Sequence, residues 1–177
     1  MKKIIAGMAA LALVAGTAIA KEEGDDVVVE PGQAVVQVNG LVCSFCAHGV
    51  EKTLKQLDVV DRDRFGGDGV FVDIDNHRVT LALLPEKPIP FAELRERIKK
   101  AGYDPVRIHL RLEGTLERNG EGWRLAGRSP RQSFVLAGET NGWSAGATVS
   151  LRTHLDAAAL EGLEDGAPVP VFVDAVL

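Results

Sequence analysis

The two cysteines of this chain, Cys43 and Cys46, form a C-x-x-C segment between a strand-like run and a helix-like run. Two thiolates at this spacing can hold one soft metal ion, or they can exchange electrons as a dithiol and a disulfide. A purely structural disulfide is the weaker explanation, because so short a loop removes little entropy from the unfolded chain. The start of a helix presents unpaired N–H groups and a partial positive charge, which favours the ligating thiolate form of Cys46.

Two protein ligands point to an ion of low coordination number. Two thiolates suit Cu(I) or Hg(II), whereas a closed tetrahedral zinc site would need two more ligands. His48 is the candidate extra ligand if the helix has not yet formed there, since on a formed helix it points about 200° away from Cys46. A solvated surface histidine is the alternative. We expect structural roles for His77 in a turn, His109 on an outward strand face and His154 in a loop.

The elements around the cysteines follow the order strand, helix, strand, strand, helix, strand. Alternating apolar residues predict strands near 34–38, 70–74, 79–83 and 106–112. Apolar residues at helical spacing predict helices from about 47 to 58 and from 91 to 101. This order indicates an α+β fold, a ferredoxin-like βαββαβ domain with both helices on one face of the sheet.

Residues 112–177 have a different texture, with short apolar runs separated by glycine-bearing turns. The pattern predicts a small all-β domain, with an OB-like barrel as the candidate, and one short helix from Asp156, its N-cap, to Leu163. Trp123 and Trp143 do not lie in a basic sequence setting, so we expect them to pack in the core or at its rim rather than bind oligonucleotides or sugars. The alternation continues from the first half into the second, so we expect the halves to share a strand or to pack closely.

The first twenty residues have the composition of a cleavable export signal. Lys2 and Lys3 precede an apolar run, and Ala18-Ile19-Ala20 has the small-x-small pattern of a cleavage site. The run is too short and glycine-broken for a membrane anchor. We therefore expect a soluble periplasmic protein with a loose acidic leader at 21–32.

The net charge argues against one class of partner. The 20 basic and 25 acidic side chains give a formal charge of −5, and loss of Lys2 and Lys3 with the export signal makes it −7. Such an acidic protein is a poor candidate for binding a nucleic-acid backbone, because clustered lysines and arginines supply that affinity. No later segment of the sequence is apolar enough to cross a bilayer.

The segment 33–111 resembles the heavy-metal-associated domain, a family of copper chaperones, metal-binding modules of copper and zinc P-type ATPases, and periplasmic mercury-binding proteins. The likeness is found in three places, which are Gly40 to Cys46, Val50-Glu51-Lys52 with Leu54, and Ala101-Gly102-Tyr103. It implies that Cys43 and Cys46 are the metal ligands and that Tyr103 packs beside the metal. Leu41-Val42 stands where the family usually has Met-Thr, and we expect Leu41 to fill the space that the methionine takes under the loop.

The sequence thus predicts a non-enzymatic periplasmic protein that binds a soft metal ion through Cys43 and Cys46. Cu(I) is favoured, with Hg(II) and Zn(II) as alternatives. We expect the protein to capture or buffer the ion, or to deliver it by thiolate exchange to a metal transporter or another metal-accepting protein.

The alternative is a periplasmic thiol–disulfide redox protein that uses the same cysteines. A thioredoxin-like fold would need another order of elements and a proline loop facing the thiols. Here Pro85, Pro88 and Pro90 cluster before the second predicted helix instead.

Overall fold

The computed structural model describes residues 27–42, 44–140, 142–161 and 166–177. The predicted export signal at 1–20 lies outside these ranges, and so does Cys43. In chain order the elements are β1 Gln33–Asn39, α1 Ser44–Leu54, β2 Val70–Asp73, β3 Arg78–Ala82, α2 Phe91–Lys100, β4 Asp104–Asn119, β5 Gly122–Ser129, β6 Ser133–Ala137, β7 Thr148–Asp156 and β8 Val169–Val176, with a 3-10 turn at Ala157–Leu160 before β8. None of the helices in the described ranges is long and apolar enough to span a bilayer.

The first half has the predicted βαββαβ order. β1 pairs antiparallel with β3 and with β4, and β2 pairs antiparallel with β3. Alternation along β1 puts Ala34, Val36 and Val38 on one face, where they join the core that α1 and α2 cover. From α2, Leu94 and Ile98 complete this packing, each at most 1% exposed. Sequence periodicity therefore placed the two helices on the correct face of the sheet.

β4 belongs to both halves of the molecule. It is 16 residues long, and β7 pairs with it from Arg107 to Thr115. β1 pairs with β4 as far as Leu110, and β5 pairs with it from Glu113 onward. Because a strand has only two edges, β1 and β5 lie end to end along the edge opposite β7. The predicted domain boundary at 111/112 falls inside this continuous strand.

Five strands of the second half close into a ring. Within the described residues, β4 pairs with β5, β5 with β6, β6 with β8, β8 with β7, and β7 again with β4. Every pairing in the ring is antiparallel except that of β6 with β8. The apolar side chains buried along these strands include Leu112, Leu125, Phe134, Leu151 and Val171. The short strands that the sequence predicted thus pair around a common interior.

Three sequence predictions in and beside this half need correction. The described part of the helix predicted at 156–163 is a 3-10 turn, and the Asp156 side chain does not cap it. Asp156 Oδ1 instead accepts a hydrogen bond from Arg107 Nε at 3.0 Å. His109 is only 5% exposed, and His154 lies in β7 directly opposite it rather than in a loop. The sheet face that we expected to be exposed at His109 also carries Val35, its partner on β1. Val35 packs with Val27 and Val29.

The two tryptophans pack against each other. Trp123 is 5% exposed, and its ring meets that of Trp143 edge to face with centroids 5.9 Å apart. The Arg118 guanidinium lies over the Trp123 ring at 4.3 Å, so a cation is near this residue even though its sequence setting is not basic. The packing of both rings agrees with the core-and-rim role expected of them.

Candidate metal centre

The C-x-x-C segment joins the end of β1 to the start of α1. α1 begins at Ser44, so the backbone of Cys46 lies in its first helical turn. Cys43 and the side chains of residues 44–46 lie outside the described part of the chain. The described residues on either side of this loop therefore define the candidate centre. The assignment of both cysteines as ligands stays a prediction.

The chain turns sharply just before the loop. Gly40 has φ +89°, a conformation that glycine adopts without the steric cost of a β-carbon. A β-carbon at this glycine would lie 3.7 Å from Cδ1 of Tyr103, so the tyrosine ring lies against the turn. Leu41 follows with no exposed surface, whereas Val42 is 75% exposed. Leu41 is thus buried in the core beneath the loop, the packing that we expected of it.

Tyr103 reaches this turn from the other end of the first half. It follows α2, and its main-chain N–H donates to the carbonyl of Ile98 at 3.2 Å. The side chain is partly buried and packs against the main core. This placement brings Tyr103 next to Gly40 at the base of the loop, and its contact with a bound metal stays a prediction.

His77 was not expected at the centre and yet contacts the loop directly. It lies in the turn between β2 and β3, and its ring Nδ1 is 2.9 Å from the carbonyl oxygen of Leu41. Its own carbonyl accepts a hydrogen bond from the N–H of Val38 at 2.9 Å. The signal was available in the strand order, since antiparallel pairing places the start of β3 beside the end of β1. The interpretation of His77 as a turn residue alone did not predict its contact with Leu41.

His48 lies on the exposed side of α1. Its side chain is 72% exposed, and Nδ1 is 3.9 Å from Oε2 of Glu51, one helical turn further on. Because α1 is already helical at Ser44, this arrangement favours the solvated alternative. The role of His48 as an extra ligand stays a prediction.

The long loop at 61–69 is attached to Lys55, the residue directly after α1. Lys55 Nζ donates to Asp68 Oδ1 at 2.7 Å, and Arg62 Nε donates to the Lys55 carbonyl at 2.9 Å. The hydrogen bond from Lys55 lowers the pKa of Asp68 below its ordinary value, and the same bond raises the pKa of Lys55. Both side chains are solvated, so salt screens this pair. The loop is thereby held beside the helix that bears Cys46.

The rest of the described chain offers no competing metal site. Among the described residues, no group of three or more histidine, cysteine, aspartate or glutamate side chains is arranged to hold an ion. A cleft of about 520 Å³ lies between the start of α2 and β6, lined among others by Phe91, Arg131 and Gln132. α1 follows β1 and α2 follows the antiparallel β3, so this cleft lies at the opposite end of the sheet from the cysteines.

Comparisons with known proteins match the first half. Residues 35–104 match the family model of the heavy-metal-associated domain, and the match ends where β4 begins. Among solved structures, the chain is similar to the water-soluble region of the P-type ATPase CopA from Bacillus subtilis, at 25% sequence identity and a TM-score of 0.35. That match covers 54% of this chain and 56% of the other, and its TM-score is too low to support a common architecture. A search of curated protein sequences gave no match.

Proposed function

We propose that this protein binds a soft metal ion through Cys43 and Cys46, because residues 35–104 match the family model of the heavy-metal-associated domain. The observation that carries the proposal is the position of the C-x-x-C segment, between the end of β1 and the first turn of α1. In the family this is the position of the metal-binding thiolates. The buried Leu41 and the Tyr103 ring against Gly40 support it, because both pack at the base of the loop.

The ion that fits best is Cu(I). Thiolates are soft ligands, and a pair of them satisfies an ion that accepts two-coordinate geometry. Hg(II) has the same preference, whereas Zn(II) would need two more ligands from His48, from water or from a partner. The positive end of α1 favours the thiolate form of Cys46 before the ion arrives.

The proposed role is capture, buffering or delivery in the periplasm, without catalysis. The composition of residues 1–20 supports export. Delivery would proceed by ligand exchange, in which a thiolate of the partner attacks the bound ion while one of the two cysteines leaves it. A metal transporter or a metal-accepting protein is the proposed recipient.

The test is a Cu(I) competition titration of the reduced protein against a colorimetric chelator under anaerobic conditions. The wild type should withdraw the ion from the chelator, and the Cys43→Ser/Cys46→Ser variant should not. Val42→Ser is the matched control, since Val42 adjoins the cysteines, is 75% exposed and leaves both thiols in place. Equal uptake by the wild type and the double variant would contradict the proposal.

The redox alternative makes a different prediction for the same proteins. A thiol–disulfide oxidoreductase turns over many substrate disulfides, whereas a metal-binding dithiol that becomes oxidised reacts once and stops. Multiple turnovers by the wild type in a disulfide-exchange assay, with weak Cu(I) binding, would favour the redox function. Tight Cu(I) binding without turnover would support the proposal made here.

A further inference from the structure

We propose that His77 is a positioning residue that fixes the metal-binding loop before the ion arrives. This proposal rests on the proposed function, because it concerns the loop that bears Cys43. His77 lies 36 residues from Leu41 in sequence, on a different strand connection. Nothing in the C-x-x-C segment itself indicates that His77 contributes to the position of the loop.

Two hydrogen bonds join His77 to opposite sides of the turn at Gly40. The His77 carbonyl accepts from the Val38 N–H at 2.9 Å, on the β1 side of the turn. The ring Nδ1 is 2.9 Å from the Leu41 carbonyl, on the cysteine side. A carbonyl oxygen only accepts, so Nδ1 is the protonated ring nitrogen and donates. The turn is therefore held by one residue at both its beginning and its end.

Two hydrogen bonds within the turn brace the residue next to His77. Asn76, next to it, donates its main-chain N–H to Asp73 Oδ1 at 3.1 Å and its side-chain amide to Asp73 Oδ2 at 2.7 Å. His77 has φ +52°, in the left-handed region where asparagine, aspartate and histidine are enriched among non-glycine residues. These two hydrogen bonds hold the hairpin turn from which the imidazole reaches the Leu41 carbonyl.

Fixing the loop matters because a binding segment that is ordered in advance loses less conformational entropy when its ligand binds. Leu41 precedes Cys43 by two residues, so an anchor on the Leu41 carbonyl limits the positions available to the first thiolate. The buried Leu41 side chain and the Tyr103 ring hold the same segment from the core side. His77 supplies the polar anchor at the carbonyl that these apolar contacts do not.

The experiment uses two substitutions of the same shape, of which only one retains a hydrogen-bond donor. His77→Asn places an amide donor near the position of Nδ1, and His77→Asp places an acceptor-only carboxylate of the same shape there. Both residues tolerate a positive φ. Loss of a single hydrogen bond at a partly exposed position should weaken Cu(I) affinity about two- to tenfold. We expect wild-type affinity from His77→Asn and weakened affinity from His77→Asp, even though the added negative charge by itself favours a cation.

Two further measurements make the outcome decisive. His77→Gly removes the side chain without strain at this φ, and it should bind Cu(I) as weakly as we expect of His77→Asp. It takes the place of His77→Asp if that variant proves too unstable to titrate. Amide hydrogen exchange of the metal-free proteins should become faster at residues 40–46 in His77→Asp and His77→Gly, but not in His77→Asn. Asp75→Asn, at an exposed position of the same hairpin turn, is the control for a substitution in this turn.

The two proposals fail in different ways. If the wild type does not bind Cu(I), the proposed function is wrong, while hydrogen exchange still shows whether His77 anchors the loop. If the wild type binds and all three variants bind equally well, the positioning role is wrong. Equal weakening in His77→Asn and His77→Asp would also overturn it, since the donor then makes no difference.

Discussion

The two halves of this molecule use β4 in different ways. Residues 104–110 of the strand complete an antiparallel sheet with β1, whose apolar face is covered by two helices. Residues 113–119 pair with β5 and help to close a ring whose apolar side chains face one another. In the first half the proposed metal ligands lie in a loop at the end of a strand, whereas the second half buries its apolar residues by closing the sheet on itself.

The difference explains what the second half does for the first. β4 would be an edge strand if the β2-β3-β1-β4 sheet stood alone, with a row of unpaired main-chain groups open to other chains. Pairing with β7 from Arg107 to Thr115 covers that edge. The halves are also joined by the Gln132 side-chain amide, which accepts from the N–H of Ile89 at 3.1 Å and donates to its carbonyl at 3.4 Å. We therefore expect the two halves to unfold together.

The strongest test of that expectation is Leu112→Ala. Leu112 has no exposed surface and lies on β4 between the part that pairs with β1 and the part that pairs with β5. Truncation should lower the free energy of unfolding by about 2–5 kcal/mol, because it removes buried methyl groups and leaves a cavity. The single tyrosine lies in the first half and both tryptophans in the second, so fluorotyrosine and fluorotryptophan NMR signals during urea unfolding report each half separately.

Both signals should move to lower urea together. Val106→Ala is the control, because Val106 is on the same strand but is 41% exposed, and a substitution there should change the free energy by at most about 0.5 kcal/mol. A shift of the tryptophan signals alone would show that the halves are independent.

The next test strains only the second half. A β-carbon at Gly114 would lie 2.3 Å from the carbonyl oxygen of Ala126, so Gly114→Ala must push β4 and β5 apart. The cost should be about 1–3 kcal/mol, as for other overpacked sites, measured as the urea midpoint of the tryptophan signals. Gly49→Ala is the matched control in α1. A β-carbon there meets nothing within 4 Å, and the change should stabilise the protein by about 0.5–1 kcal/mol. Equal and small effects at both glycines would refute the close β4–β5 approach.

The smallest expected effect is a pH dependence that arises from one carboxyl group in the first half. The hydrogen bond from the Asn76 side chain lowers the pKa of Asp73 below its ordinary value of 3.8. The folded-state pKa is therefore below the unfolded one, so the stabilisation is present above the unfolded pKa and is lost as pH falls through the folded pKa. Between about pH 6 and pH 3, the wild type should lose slightly more unfolding free energy than Asp73→Asn. Asp75→Asn, an exposed neighbour of equal charge, should follow the wild type, and identical pH profiles for all three proteins would contradict the prediction.

Local patterns predicted the first half well and some details poorly. The alternation along β1 and the helical spacing in α2 are properties of consecutive residues, so element order and the inward faces could be read from them. The outward assignment of His109 was wrong because burial of that face depends on Val35 and the segment at 27–29, which lie far away in sequence. The prediction of a loop at His154 was wrong because a single histidine between Thr153 and Leu155 does not by itself indicate a strand.

The sequence alone determined that a C-x-x-C pair lies between a strand and a helix, and that βαββαβ elements surround it, because spacing and periodicity are local. Only the tertiary structure decided that β4 continues through the predicted boundary, that β7 returns to close the ring, and that His77 meets the Leu41 carbonyl. Each of these depends on the register between strands distant in the chain. Register is set by how all the buried faces fit together, which no single segment of sequence contains.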